Sequence, residues 1–379
     1  MRMIIVTFVM LGFANLEKPL SGWKELWHSG GLAVFQGLPM LFRARIIHPS
    51  AIYKSSGGGH RKLGLPTPPP AAKRNRATSL PSATNLTSVS DPANSTLAFQ
   101  NYLQHLADSL QAEISVAFRD LETGKEFFFH ERQMMHAAST MKVPVMIEVF
   151  RQAEKGKFGL DDSITIKNQF ASIVDGSPYH LNVSDDSDSL IYNTIGKKIT
   201  IHQLVEQMIT VSSNLAANLL IELVGAENVT ATLRELGIKN MQVRRGVEDI
   251  KAYQRGWNNQ TDAFDLMLTL QMIAEKRAPL SGAACDSMLA ILQRQKFRDA
   301  IPAGLPEGTV AGNKTGSITK IAHDAAIVFP KSEFDKKPTT ARKPYVLVVL
   351  TRGIQEEKSA NRIIAAISRK IYLGLMASL

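Results

Sequence analysis

Apolar and polar residues change their rhythm several times along this chain. From about Leu97, LAFQNYLQHLADSLQ places apolar residues at helical spacing. ISVAFRDLETGKEFFFH then reads as two strands around a Glu-Thr-Gly-Lys turn. A long, mainly helical stretch follows, through VPVMIEVF, ITIHQLVEQMITVSSNLAANLLIELVG, AFDLMLTLQMIAEK and SGAACDSMLAIL. The pattern returns to strands in AAIVFP and YVLVVLTRG and closes on a helix, SANRIIAAISRKIYLGLM. No repeat at solenoid periods interrupts this order. Strands at both ends with helices between them predict one antiparallel sheet drawn from both ends, with a helical insertion as a second lobe. A site between the two lobes is the natural place for chemistry.

Ahead of this pattern the chain behaves differently. MRMIIVTFVMLGFANLEKP has a short basic start and an apolar run from Met3 to Ala14, with small residues at Gly12 and Ala14. That predicts a secretory signal peptide over residues 1–20, too short to span a bilayer. A second run, GGLAVFQGLPMLF, is broken by Gly and Pro and is also too short to span. Residues 55–95 are rich in Gly, Pro, Ser, Thr and Asn and cannot bury enough surface to offset their ordering entropy. Residues 21–95 therefore read as a disordered, basic, Pro-rich linker, and 96–379 as the folded domain. The alternative is that this whole region lies upstream of the true start.

Charge adds little to the domain itself. The 379 residues carry a net charge of +10, but residues 1–95 hold 11 Lys and Arg against 3 Asp and Glu. The remainder is nearly balanced, so no nucleic-acid surface is expected. A single cysteine, Cys285, excludes an intramolecular disulfide and a cysteine zinc site, and its helical context predicts a buried thiol. The nine histidines show no H-x-H or H-E-x-x-H spacing, so no metal is expected.

The candidate chemistry begins in HAASTMKVPVMIEVF, where Ser139 and Lys142 stand three residues apart as a helix begins. Residues at that spacing share a helix face, so Lys142 points into the same space as the Ser139 hydroxyl. A desolvated lysine there can accept a proton; an exposed one would be an ordinary solvated charge. Ser-x-x-Lys alone is weak, since Ser21/Lys24 and Ser317/Lys320 match it too. Two further stretches give it context. TVSSNLAANLL brings Ser212 and Asn214 to the start of an amphipathic helix, a hydroxyl to relay a proton and an amide to bind one. AGNKTGSI brings Lys314, Thr315, Gly316 and Ser317: a cation and a hydroxyl for a carboxylate, and a glycine that lets a ligand approach a strand edge.

Together STMK, SSN and KTGS resemble the three signatures of the penicillin-recognising serine acyltransferases, and of class A β-lactamases in particular. The likeness covers most of residues 97–379. It implies an α+β, β-lactamase/transpeptidase-like fold: an antiparallel sheet flanked by helices, plus an all-helical lobe. It also implies a serine hydrolase acting on small-molecule β-lactams without a cofactor, as a monomer, periplasmic or secreted. By the resemblance Ser139 is the nucleophile, Lys142 its proton acceptor and Ser212 the relay to the leaving nitrogen. Asn214 would bind the acylamide and Lys314 with Thr315 the carboxylate. The backbone amides of Ser139 and Ser317 would form the oxyanion hole.

The sequence departs from the family pattern in three places. Ser213 stands where the middle motif usually has aspartate, a position of mostly structural weight. The loop that in the family carries a water-activating glutamate, in a Glu-x-x-x-Asn pattern, here reads VRRGVEDIKAYQRGWNNQTDAFDLM. An ungapped alignment puts Gly246 at that position; Glu248 is the one glutamate available, and Ala252 follows it four residues on. Glu248 is thus either the deacylation base, if the loop runs differently, or a solvated acid beside Asp249. Without such a base the acyl-enzyme persists, as in a penicillin-binding D-alanyl-D-alanine peptidase. Third, an acidic insertion, NVSDDSDSLIYN, lengthens the first spacer and is expected to shape the cleft entrance without taking part in chemistry. His323 with Asp324 reads as a structural strand-edge pair. Arg352 reads either as a carboxylate ligand or as a surface arginine.

Overall fold

The computed structural model describes residues 92–277, 279–331 and 342–377. The signal peptide and nearly all of the linker expected from the sequence lie outside these residues. Helix α1 (Pro92–Leu110) opens the described part. It starts with proline, which suits a first helical position, slightly ahead of the boundary expected at 96.

Among the described residues, five strands form one antiparallel sheet: β1 (Glu113–Asp120), β2 (Glu126–Phe129), β3 (Val310–Ile318), β4 (Ile321–Phe329) and β5 (Tyr345–Arg352). Their order across the sheet is β2-β1-β5-β4-β3. β1 runs beside β5 from Glu113–Arg352 to Asp120–Tyr345, so the two ends of the domain meet in the sheet centre as the pattern predicted. Helices α2 (Lys142–Glu154), α3 (Ile201–Thr210), α4 (Asn214–Val224), α5 (Ala226–Glu235), α6 (Ile250–Gln254), α7 (Ala263–Ala274) and α8 (Gly282–Gln293) lie between β2 and β3 in sequence. Helix α9 (Glu357–Ala377) closes the domain.

The sheet is covered on both faces, which is why YVLVVL shows no polar alternation. Val346, Val348 and Leu350 of β5 enter the core shared with α2, α3, α4, α7 and α8. Tyr345, Leu347 and Val349 point the other way, among Leu103 of α1 and Ile364 and Ile367 of α9. Each such aliphatic side chain contributes roughly 1.5–3 kcal/mol by leaving water.

Helix α2 runs through the larger core and is buried from Lys142 to Phe150 on every side. Its sequence accepts this because Pro144 falls in the first turn, where a missing N–H costs least. Helix α3 is started by a capping box, Thr200 with Gln203. The Ser213 side chain caps α4 by accepting from Ala216 N. Cys285 is buried in α8. Among the described residues no helix is long and apolar enough to cross a membrane.

Candidate active site

A cleft of about 600 Å³ opens where the sheet meets the helical lobe, and Ser139, Ser212, Asn214, Glu248, Thr315 and Ser317 all line it. Ser139 sits in a short 3-10 turn, Ala138–Met141, that feeds directly into α2. The turn is sharpened by Ala138, whose φ of 45° lies in the left-handed region. Such a conformation costs roughly 1–3 kcal/mol and persists only where the surroundings hold it. Here the Ala138 amide donates to His136 Nδ1 at 3.0 Å, and the Ala137 amide to the carbonyl of Asn259 at 2.8 Å.

Lys142 is fully buried. Its ammonium donates to the Ser212 carbonyl at 2.7 Å, to Ser212 Oγ at 3.3 Å and to Asn214 Oδ1 at 2.9 Å. Burial pulls its pKa down to about 7, against the opposing pull of the Asp186 and Glu248 carboxylates. Lys314, also fully buried, donates to the same Ser212 Oγ at 3.0 Å and to the Thr315 carbonyl at 2.7 Å. Burial, and then the nearby Lys142 charge, hold Lys314 well below an ordinary lysine. One hydroxyl therefore joins two lysines from opposite lobes. Ser212 reaches that position through a left-handed backbone, φ 58°. The lysine is not a solvated charge.

Strand alternation places Lys314 and Gly316 on the same face of β3 as each other, opposite Ala325 and His323 of β4. β3 is the sheet edge, and the Ser139 turn packs against it. A Cβ on Gly316 would stand 2.9 Å from the amide nitrogens of both Ser139 and Thr140. The glycine thus admits the nucleophile turn itself, not only a ligand as the sequence suggested. Its small size lets the edge strand and the turn approach each other closely.

The loop after α5 brings the ambiguous glutamate to the cleft. A side chain at Gly246 would have to displace its neighbours: a Cβ there would lie 2.5 Å from Tyr179 Oη and 2.9 Å from Asn218 Oδ1. Two residues on, the chain turns through Glu248 with φ 62° and delivers its half-buried carboxyl to the cleft. Glu248 accepts from the Asn182 amide at 3.0 Å and from Asn214 Nδ2 at 3.4 Å. Burial raises its pKa, partly offset by the Asn182 hydrogen bond.

Residues that no motif marked hold this loop. Asn218 of α4 clamps Val247 by accepting from its amide at 2.6 Å and donating to its carbonyl at 3.0 Å. Asp249 caps α6 and accepts from Ser172 Oγ at 2.8 Å and the Ile173 amide at 2.9 Å. Asn259 accepts from the amides of Arg244 and Arg245 and donates to the Arg245 carbonyl, while its own carbonyl takes the Ala137 amide. These side chains act on backbone groups far away in sequence, so only a run of polar residues was visible.

One expectation needs correction, that for His323 and Asp324, and two others gain detail. The acidic insertion does more than shape the entrance: Asp185 and Ser187 line the cleft, and buried Asp186 accepts from the amides of Asn214 and Leu215. His323 and Asp324 lie on an interior strand, not an edge, and successive strand residues point to opposite faces. His323 Nε2 meets the His136 carbonyl at 3.0 Å, whereas Asp324 accepts from the Ile301 amide and Asn313 Nδ2. Arg352 pairs with Glu113, directly opposite it on β1, at 2.8 Å, and does not line the cleft.

Comparison with known proteins agrees with this geometry. Residues 98–375 match the beta-lactamase enzyme family, and because that span takes in nearly all the described residues, the chain belongs to it. Its relatives include the beta-lactamase CTX-M-97 of Escherichia coli, 25% identical over 284 residues, which cover 73% of this chain and 88% of that protein. The beta-lactamase Toho-1 of Escherichia coli is 24% identical over 280 residues, covering 72% and 87%. Among solved structures, the last common ancestor of Gram-negative bacteria class A beta-lactamase superposes with a TM-score of 0.63 at 25% identity, over 73% of this chain and 99% of that one. PBP-A shares the fold at a TM-score of 0.61 and 22% identity, over 74% and 96%. The resemblance to class A is thereby upheld, as is the α+β fold.

Proposed function

We propose that this chain is a serine β-lactamase that opens β-lactam rings through an acyl-enzyme on Ser139. The observation that carries the reading is the pair of buried lysines, Lys142 and Lys314, both bonded to Ser212 Oγ beside the Ser139 turn. A lysine with a pKa of about 7 is neutral in a sizeable fraction of molecules at neutral pH and can take the Ser139 proton. Ser139 Oγ attacks the strained amide carbonyl, and the amides of Ser139 and Ser317 receive the developing oxyanion. Such donors contribute on the order of 3 kcal/mol each. Ser212 returns a proton to the leaving nitrogen as the C–N bond breaks. Asn214 binds the acylamide, and Lys314 with Thr315 the carboxylate, with Gly316 giving the turn its place. Glu248 then activates the water that releases the ring-opened acid and restores Ser139. Every group in this scheme comes from the chain, without metal or cofactor. The same reading carries monomeric action and a periplasmic or secreted location, the latter supported by the apolar run near the N-terminus.

A second reading, a penicillin-binding D-alanyl-D-alanine peptidase or slowly deacylating penicillin-binding protein, takes its support from Ala252, which leaves Glu248 without the usual asparagine four residues on. Pre-steady-state hydrolysis of a chromogenic cephalosporin by the full chain and by Glu248→Ala separates the two. Many turnovers in the wild type and a single stoichiometric burst in the variant are expected. A burst without turnover in both proteins would overturn the β-lactamase reading.

A further inference from the structure

We propose that Asp186, from the acidic insertion, is a positioning residue for acylation, its carboxylate gripping the first amides of α4 and so aiming the Asn214 side chain at Lys142. The inference rests on the acyl-enzyme reading above and adds a residue that none of the three motifs contains. Both Asp186 oxygens reach the Asn214 amide, at 3.0 and 2.9 Å, and Oδ2 also takes the Leu215 amide at 2.9 Å. The next amide, that of Ala216, goes to Ser213 Oγ at 3.2 Å. The opening amides of α4 are thus divided between its own capping serine and a carboxylate 28 residues upstream. A helix start offers unpaired N–H groups and a positive dipole end, so a carboxylate is well held there.

Asp186 is itself fixed. It is 8% exposed, accepts from Tyr192 Oη at 3.1 Å and from the Asp188 amide at 3.0 Å. Its grip bears on the site through Asn214. That side chain turns Oδ1 to Lys142 Nζ at 2.9 Å and Nδ2 to the Asp185 carbonyl at 3.3 Å and to Glu248. Displacing the start of α4 therefore moves the group that orients the proton acceptor. The charged groups around this point are the Lys142 and Lys314 ammoniums and the carboxylates of Glu248, Asp185 and Asp188, with the Tyr192 phenol. Among them, Asp186 favours the protonated form of Lys142.

The test is single-turnover acylation by a chromogenic cephalosporin across neutral pH, with thermal melting, for the full-length wild type, Asp186→Asn and Tyr192→Phe. Asp186→Asn is expected to slow acylation at least roughly tenfold, as a misplaced catalytic group does. It also moves the acid limb of the profile to lower pH, because losing the carboxylate eases proton loss from Lys142. Tyr192→Phe keeps the charge, so its limb stays in place while the rate falls about two- to threefold. A variant at 186 that melts earlier but acylates within twofold of the wild type, with an unmoved limb, reduces Asp186 to a helix cap and overturns the proposal. Should Asp186→Asn not fold, an unchanged rate in Tyr192→Phe overturns it instead. A wild type that is never acylated overturns the functional reading and this inference with it, whereas an acylated wild type with unaffected variants overturns the inference alone.

Discussion

The two halves of the cleft are built in different ways. Ser139, Lys142, Ser212 and Lys314 stand on or beside regular elements: the head of α2, the start of α4 and the edge strand β3. Glu248 stands on a loop, in a left-handed conformation, held by side chains that bond its neighbours' backbone. The Ser139 half is carried by elements packed into the core, with the start of α4 also gripped by Asp186. The water-activating half depends on a few hydrogen bonds, each worth about 1 kcal/mol net. On the roles proposed above, forming the acyl-enzyme and clearing it would answer to different parts of the fold.

The largest expected effect breaks the Ser139 half alone. Gly316→Ala places a methyl 2.9 Å from two backbone nitrogens that have no freedom to retreat. Acylation should slow about a hundredfold or more, in the range seen when an oxyanion donor is lost. Stopped-flow acylation with a melting curve checks this, and a near-normal rate in the folded variant would mean the turn is softer than its packing implies. A smaller effect breaks the other half. Asn218→Ala removes both bonds to Val247, leaving those buried backbone groups short of partners at a cost of about 2–3 kcal/mol. Deacylation should fall about tenfold while the burst rate stays within about twofold. Equal losses in both steps would show that the halves are not separable. The mildest test sharpens the contrast through pH. With Lys142 as the proton acceptor proposed above, the acylation rate should rise with pH through a limb near 7. Deacylation needs ionised Glu248, whose pKa is raised, so its limb should lie above that of an ordinary glutamate. Separate burst and steady-state profiles measure the two limbs, and a single shared limb would contradict the assignment of different bases.

The same division decides what could be read from the sequence. Ser139 with Lys142, Ser212 with Asn214 and the Lys314–Ser317 stretch were legible because each group is fixed by its covalent neighbours on one element. The sheet was legible because ISVAF and YVLVVL carry runs only a doubly covered strand would bury. The path that brings Glu248 to the cleft was not legible, because it depends on packing and hydrogen bonds from distant residues such as Asn218 and Asp249. Asp186, Asn218 and Asn259 stayed hidden for a related reason. They act on main-chain amides and carbonyls, which every residue possesses, so nothing in their partners' identity marks the contact.

Asn259 gives the difference a practical edge. Through its carbonyl it braces Ala137, next to the nucleophile turn, and through its side chain it braces Arg244 and Arg245, ahead of Glu248. Warming or mild denaturant that frees the loop before the sheet yields opens the side-chain brace first. On the roles proposed above, the result would be a molecule that still captures its ligand and no longer lets it go. Damage of that kind would turn a recycling catalyst into a single-use sponge, its capacity set by the number of protein molecules present. Counting ligand consumed per chain, as the protein is gradually loosened, reads that order of failure directly.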